Sequence, residues 1–416
     1  MTTKADLPGG PARTRRGSAA LLGPAFVAAI AYVDPGNVAA NLTAGAQYGY
    51  LLLWVLVVAN GMAVLVQYLS AKLGLVTGRS LPELLGARLP RVPRLLFWGQ
   101  AELVAAATDV AEVIGGALAL YLLFGVPLPL GGLIVGVVSM ALLSVQNRRG
   151  QRTFEFVVIG LLAIITIGFV AGLLISPVSV GGVLGGLVPR FEGAQTILLA
   201  ASMLGATVMP HAIYLHSSLA RDRHGSGHDA PRLRHLLRAT RWDVVLSLLV
   251  AGGVNIAMLL LAAASLAGVD GTDSIEGAHA AIVDALGPTV GVIFAIGLLA
   301  SGLASTSVGA YAGSAIMSGL LHVRIPLLVR RAVTLVPAII LLGAGIDPTW
   351  ALVLSQVLLS IGIPFAIIPL FRLTADRELM GVHRNGPLVR AAGWLVVAVI
   401  VALNVLLIAL TLTGQA

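Results

Sequence analysis

Apolar runs of about twenty residues, separated by short polar breaks, follow one another from near residue 19 to near residue 412. Each run matches the roughly 20 residues an α-helix needs to cross the hydrocarbon core of a bilayer. Inside lipid only helices and closed barrels satisfy every backbone donor and acceptor. The runs lack the ten-residue alternation of barrel strands. The chain therefore reads as an all-α, multi-pass membrane protein. Composition agrees, with 58% of the 416 residues hydrophobic and 11% charged, against about 25% charged in soluble domains.

Gly- and Pro-rich polar breaks divide the chain into eleven expected spans. They lie near residues 19–48, 50–72, 95–124, 128–146, 154–176, 194–220, 242–268, 285–320, 326–344, 347–371 and 388–412. With the N-terminus placed in the cytoplasm, every Lys and Arg except Arg190 falls on the inside. The 270–284 segment, placed outside, carries Asp270, Asp273, Glu276 and Asp284 and no basic residue. This is the positive-inside pattern. The net charge of +8 is thus a signal of topology and gives no ground for a nucleic-acid partner. The C-terminus, within residues 388–416, is expected outside.

Arg13, Arg15 and Arg16 ahead of an apolar stretch resemble a signal peptide. The apolar stretch runs on past Asp34-Pro35-Gly36-Asn37 without a clean cleavage site. Residues 1–18 are accordingly expected to be a disordered basic cytoplasmic tail. Cysteine is absent, so any metal ligand must be oxygen, nitrogen or thioether sulfur.

Two spans are interrupted at corresponding places, the first by Asp34-Pro35-Gly36-Asn37 and the sixth by Met209-Pro210-His211. Proline removes a backbone donor and clashes with the preceding turn, and glycine loosens the chain. Non-helical backbone at membrane depth survives only where protein buries it or where it lines a cavity. Spans one and six open two five-span halves, residues 19–176 and 194–371. Because five is odd, the halves are expected to run in opposite orientation. Paired broken helices in inverted repeats point to the central site of a transporter.

The chemistry at the breaks is that of a cation site. Asp34 brings a carboxylate, Asn37 an amide oxygen, Met209 a thioether, and the unwound stretches around Ala31 and Ala206 offer free carbonyls. A charged residue inside a span is costly and usually functional. A thioether is a soft ligand, whereas Mg²⁺ and Ca²⁺ prefer hard oxygen. One sulfur among oxygens therefore disfavours the alkaline earths more than Mn²⁺ or Fe²⁺.

The stretch from Gly23-Pro24 through Asp34-Pro35-Gly36-Asn37, with Ala206-Thr207-Val208-Met209-Pro210-His211, resembles the two signature motifs of the Nramp family of proton-coupled manganese and iron carriers. The resemblance runs from about residue 20 to 410, with no departure at these positions. It implies a LeuT-like fold of inverted five-helix repeats plus an eleventh transmembrane helix. It also implies symport of a divalent metal with protons. The implied coordination sphere is Asp34, Asn37, Met209 and the carbonyls of Ala31 and Ala206, joined in some conformations by Gln356. His211 would belong to the polar network beside the metal.

A proton path needs acid–base groups leading away from the site. Glu102, Asp109 and Glu112 on the third span fall within about 80° of one another at 100° per residue. Three carboxylates on one apolar helix must face the bundle interior, and such chains mark proton relays. Pairing with Arg330 and Arg331, near the cytoplasmic end of span nine, is compatible with that role. Gln67, Asn60 and Asn255 read as glue between helices. His224 and His228 read as part of a solvated linker.

The rival within transport is a sodium-coupled amino-acid carrier of the same architecture, whose site would be an open, glycine-lined anion pocket. A buried Asp with a Met argues against it. No H-E-x-x-H, G-x-S-x-G or Walker A motif occurs, so an intramembrane enzyme is not expected. The resulting expectation is a secondary transporter of the bacterial inner membrane, working as a monomer. Mn²⁺ or Fe²⁺ and protons are its substrates, with no cofactor.

Overall fold

The computed structural model describes residues 23–149, 151–272, 274–323 and 325–413. The tail expected over residues 1–18 lies outside them. The first expected span forms two helices, α1 (Pro24–Ile30) and α2 (Pro35–Tyr48), joined through a single 3-10 turn at Ala31–Val33. Then come α3 (Leu53–Thr77), the short α4 (Leu81–Arg88), α5 (Arg91–Phe124), α6 (Leu128–Arg149) and α7 (Gln151–Leu173). After the short α8 (Val180–Gly186), the sixth span is again divided, into α9 (Ala194–Thr207) and α10 (Pro210–His224). The chain continues through α11 (Ala230–Ser265), α12 (Ile275–Leu286), α13 (Pro288–Leu321), α14 (Leu327–Gly343) and α15 (Pro348–Ala375). It finishes with the one-turn α16 (Arg377–Met380) and α17 (Pro387–Leu412). Among the described residues, eight helical segments are long and apolar enough to cross a membrane, and Pro24–Val33 and Leu128–Leu142 are shorter apolar ones.

Each expected span coincides with a helix or a pair of half-helices, but the arginine-rich connections are more helical than the sequence suggested. α11 begins at Ala230, a dozen residues before the expected boundary, because Asp229 caps it and Pro231 sits in its first turn. The Asp229 carboxylate accepts from the Arg232 N–H at 3.3 Å, filling one of the donors that a helix start leaves open. His224 is the last residue of α10, so the linker around His228 shrinks to residues 225–229.

Where short helices meet, polar caps fix the geometry. α4 starts in a capping box, with Ser80 N–H donating to Glu83 Oε2 at 2.8 Å and Glu83 N–H to Ser80 Oγ at 3.4 Å. Arg221, from the end of α10, donates to the same Glu83 carboxylate. Burial pushes the Glu83 carboxyl up, but the Ser80 backbone and Arg221 outweigh it and hold it below its ordinary value. At the start of α1, Gly23 N–H and Ala25 N–H donate to the two oxygens of Asp243 on α11, at 3.1 and 3.0 Å. A carboxylate from a distant helix thus does what a local cap residue does elsewhere. Asp243→Ala is expected to cost about 0.5–2 kcal/mol, read as a lowered melting temperature of the purified protein. Asp243→Asn should lose less than Asp243→Ala, because its single acceptor oxygen can still take one of the two bonds.

Packing places α13 against α5 and α7, α11 against α2 and α3, and α15 against α9 and α5. The broken helices lie within this cage, with Ala28, Ile30, Val33, Val38, Met203, Val208 and Ile213 all nearly inaccessible.

Candidate functional site

Both breaks arise from one local cause. Pro35 and Pro210 each open a half-helix at its first turn, where the missing N–H costs nothing and the fixed φ suits the helix. An unbroken helix would have closed those two N–H groups on the carbonyls four residues earlier, which belong to Ala31 and Ala206. The prolines therefore deprive those two carbonyls of their helical donors, and the Asn37 amide takes up the one at Ala206.

The breaks touch each other. Asp34 is extended (φ −73°, ψ 168°) and caps α2, accepting from Asn37 N–H at 2.9 Å. The Asn37 amide donates from Nδ2 to Asp34 Oδ1 at 2.7 Å and to the Ala206 carbonyl at 3.0 Å. One side chain so ties the first break to the second. Gln356, on α15, donates from Nε2 to Asp34 Oδ2 at 3.4 Å. Asp34, Asn37, Met209, Ala206 and Gln356 are wholly inaccessible, and Ala31 nearly so. The Met209 thioether therefore does not face acyl chains.

Glycine allows the close approach. A Cβ at Gly36 would stand 1.8 Å from Gln356 Nε2, and one at Gly205 would stand 2.0 Å from the Gln356 carbonyl oxygen. Two acceptors at this junction lack a donor: Asn37 Oδ1 and Gln356 Oε1 are buried and unpartnered. Buried polar groups are nearly always satisfied. A carboxylate, two orphan amide oxygens and two carbonyls stripped of their helical donors are hard oxygen donors of the kind a dehydrated cation takes, and the buried Met209 stands at the second break.

The expected relay residues line one side of this centre. Asp109 and Glu112 are buried, and Glu102 is partly exposed. Arg330 donates to Glu102 at 2.6 Å, and Arg331 Nη1 stands 3.6 Å from Asp109 Oδ1 while its Nε donates to Ser139 at 3.1 Å. Both arginines of α14 thus face carboxylates of α5. A Cβ on Gly313 of α13 would overlap the Arg330 guanidinium, and one on Gly309 would lie 3.0 Å from Glu112 Oε2. His211 reaches the same helix, with Nδ1 3.5 Å from Thr108 Oγ1 and Nε2 buried without a partner.

The family profile described as Natural resistance-associated macrophage protein-like matches residues 25–410. The chain belongs to the Nramp family. A relative from Mycobacterium tuberculosis, described as a divalent metal cation transporter MntH, is 62% identical over 394 residues, covering 95% of this chain and 92% of its own. The crystal structure of an Eremococcus coleocola manganese transporter, in complex with an aromatic bis-isothiourea compound, superposes with a TM-score of 0.84. It is 32% identical and covers 96% of this chain and 88% of that one. MhsT in complex with L-phenylalanine, 14% identical with a TM-score of 0.61 over 92% of this chain and 98% of that one, shares the fold alone. Nramp relatives named as carriers leave no role for an enzyme or a resident cofactor.

Within this Nramp chain the structure adds groups that the sequence did not single out. His216 accompanies Gln67, with Nδ1 2.7 Å from Gln67 Oε1, and Gln67 Nε2 donates to the Tyr32 hydroxyl. Asn255, read as glue, donates to the Tyr32 carbonyl at 2.7 Å and accepts from Asn41 at 3.2 Å. Ser301 donates to the Val33 carbonyl at 2.5 Å. The carbonyls of Tyr32 and Val33 are thereby committed to side chains, whereas Pro35 leaves that of Ala31 without its helical donor. The only sequence signal for these partners was a polar side chain within an apolar span, which does not specify its target.

Proposed function

We propose that this protein imports divalent transition-metal ions, Mn²⁺ foremost and Fe²⁺ and similar ions beside it, driven by protons. It would act as a monomer in a bacterial inner membrane, with its N-terminus in the cytoplasm and its C-terminus outside. The halves at residues 19–176 and 194–371 serve as inverted repeats around the site, with residues 388–416 holding the eleventh span. The observation that carries the reading is the junction of the two breaks, where Asn37 Oδ1 and Gln356 Oε1 stay unpartnered beside Asp34. The names of the M. tuberculosis and E. coleocola relatives point the same way.

In this mechanism the ion arrives from outside and sheds most of its water. It takes the Asp34 carboxylate, Asn37 Oδ1, the Ala31 and Ala206 carbonyls and the Met209 sulfur. Asn37 and Gln356 bind through oxygen only after their amides turn, because the Nδ2 and Nε2 now aimed at Asp34 cannot bind a cation. A proton moves by way of Asp34 or His211 toward Asp109 and Glu112, past the Glu102–Arg330 and Asp109–Arg331 pairs. Movement of the half-helices then opens the site inward.

The test is Mn²⁺ uptake into proteoliposomes with an interior pH dye. Uptake should acidify the lumen, and excess Ca²⁺ should not compete. Mn²⁺ entry without acidification would remove the symport. Met209→Ala is expected to let Ca²⁺ compete, since an all-oxygen site no longer penalises it. Continued rejection of Ca²⁺ by that variant would remove the sulfur-filter argument.

A further inference from the structure

A cavity lined by none of the residues at the two breaks opens elsewhere in the protein. It holds about 900 Å³ and lies where α2 and α17 finish and α9 and α15 begin, near the upper end of the roughly 300–1,000 Å³ of ligand sites. Its depth is aliphatic, with Leu198, Leu199, Val353, Val357, Ile361 and Leu407 on its walls. Its polar lining gathers at the helix ends, with Thr43, Gln47, Gln195, Ser274, Asp347 and Thr349. An aliphatic wall is a poor path for a hydrated dication.

The cavity is continuous with the surface that meets lipid. Trp350, Leu354, Ile408 and Leu412 line it and are also 60, 46, 43 and 82% exposed. In a bilayer the slot between α15 and α17 is therefore bathed by acyl chains. Its polar end carries a tryptophan, the residue that concentrates at the membrane–water interface. Among the described residues Asp347 is the one ionisable side chain on the lining, with no Lys or Arg beside it, which gives that end a negative bias.

We propose that this cavity binds one phospholipid, with an acyl chain along the α9–α15–α17 walls and a headgroup bearing a cationic amine at Asp347. A net-anionic headgroup would meet the same charge without compensation. α9 and α15 also carry Ala206 and Gln356, so the bound chain rests against both helices that close the metal junction.

The experiment uses the full protein in nanodiscs containing diazirine-tailed phosphatidylethanolamine or diazirine-tailed phosphatidylglycerol, with labelled peptides mapped by mass spectrometry. Label from the ethanolamine probe should concentrate in residues 347–361 and 403–412, above the lipid-facing α7 around Ile167. It should exceed label from the glycerol probe about two- to fivefold, the factor a partly exposed charge pair supplies. Leu407→Trp, which puts an indole into the aliphatic wall where an acyl chain would lie, should lower the concentration several-fold, while Val405→Trp on the outer face should not. Asp347→Asn keeps the α15 cap that now accepts from Trp350 N–H at 2.6 Å and should erase the headgroup preference. Even labelling of all exposed faces, equal labelling by the two probes, or a preference that survives Asp347→Asn each overturns the proposal. If Leu407→Trp does not fold, the Asp347→Asn arm decides.

Discussion

Asp34→Asn is expected to fold as the parent does and yet to carry no metal. The side chain of Asp34 does two jobs, capping α2 through the Asn37 N–H and offering a carboxylate to the junction. Asparagine is as good a cap as aspartate, so α2 should start where it starts now. What is lost is the anionic charge at the junction. Loss of an outer-shell partner of a metal ligand already costs roughly 10–100-fold in affinity or activity. Removal of the charged ligand itself should exceed that. Mn²⁺ uptake in proteoliposomes should fall to the empty-vesicle level, with a melting temperature near the parent's. Asp34→Ala should lose both uptake and part of the stability. Intact uptake by either variant would remove Asp34 from the site.

Arg331→Met is expected to be among the most destabilising single changes in the chain. Arg331 is wholly inaccessible, and its Nη1 stands 3.6 Å from the buried Asp109 carboxylate. Removal of one partner leaves an uncompensated buried charge, at a cost of about 3–5 kcal/mol. The double variant Arg331→Met with Asp109→Asn removes both charges and should recover much of that loss. Thermal unfolding of the purified single and double variants reads the difference. Equal destabilisation by the single and double variants would mean that Arg331 acts through Ser139 and packing. Proton-coupled uptake should fail in all of them, because Asp109 is part of the proposed path.

The sequence disclosed the spans and the breaks because both depend on local chemistry. Long apolar runs and a proline beside a glycine act on their own stretch of chain, whatever packs around them. Asp34, Asn37, Met209 and the carbonyls of Ala31 and Ala206 could be nominated for that reason. The same holds for the shared face of Glu102, Asp109 and Glu112, fixed by helical period alone. Gln356 came from family resemblance, since nothing near it on α15 marks it. Long-range partnerships were hidden. Asp243 caps a helix about 220 residues away, and Asn255 serves the Tyr32 carbonyl at a similar separation. Gly36 read as an ordinary loosening residue and Gly205 drew no attention, although the side chain and the backbone of Gln356 respectively fill the space beside them. Helical extension into the connections between spans was missed because arginine-rich stretches were read as loop.

The α5–α13 seam limits what can move. At Gly302 a methyl group would stand 2.9–3.0 Å from the backbone of Glu112 and Gly116, so these two rods meet almost spine to spine. Sliding one along the other would drive side chains into that contact, which makes the pair a fixed jaw. In the proposed cycle the travelling jaw is then made of the severed segments, with α15 moving alongside α9, since a methyl group at Gly205 would stand 2.0 Å from the Gln356 carbonyl oxygen. A cross-link stapling α5 to α13 should leave the cycle running, whereas one stapling α1 to α7 should stop it.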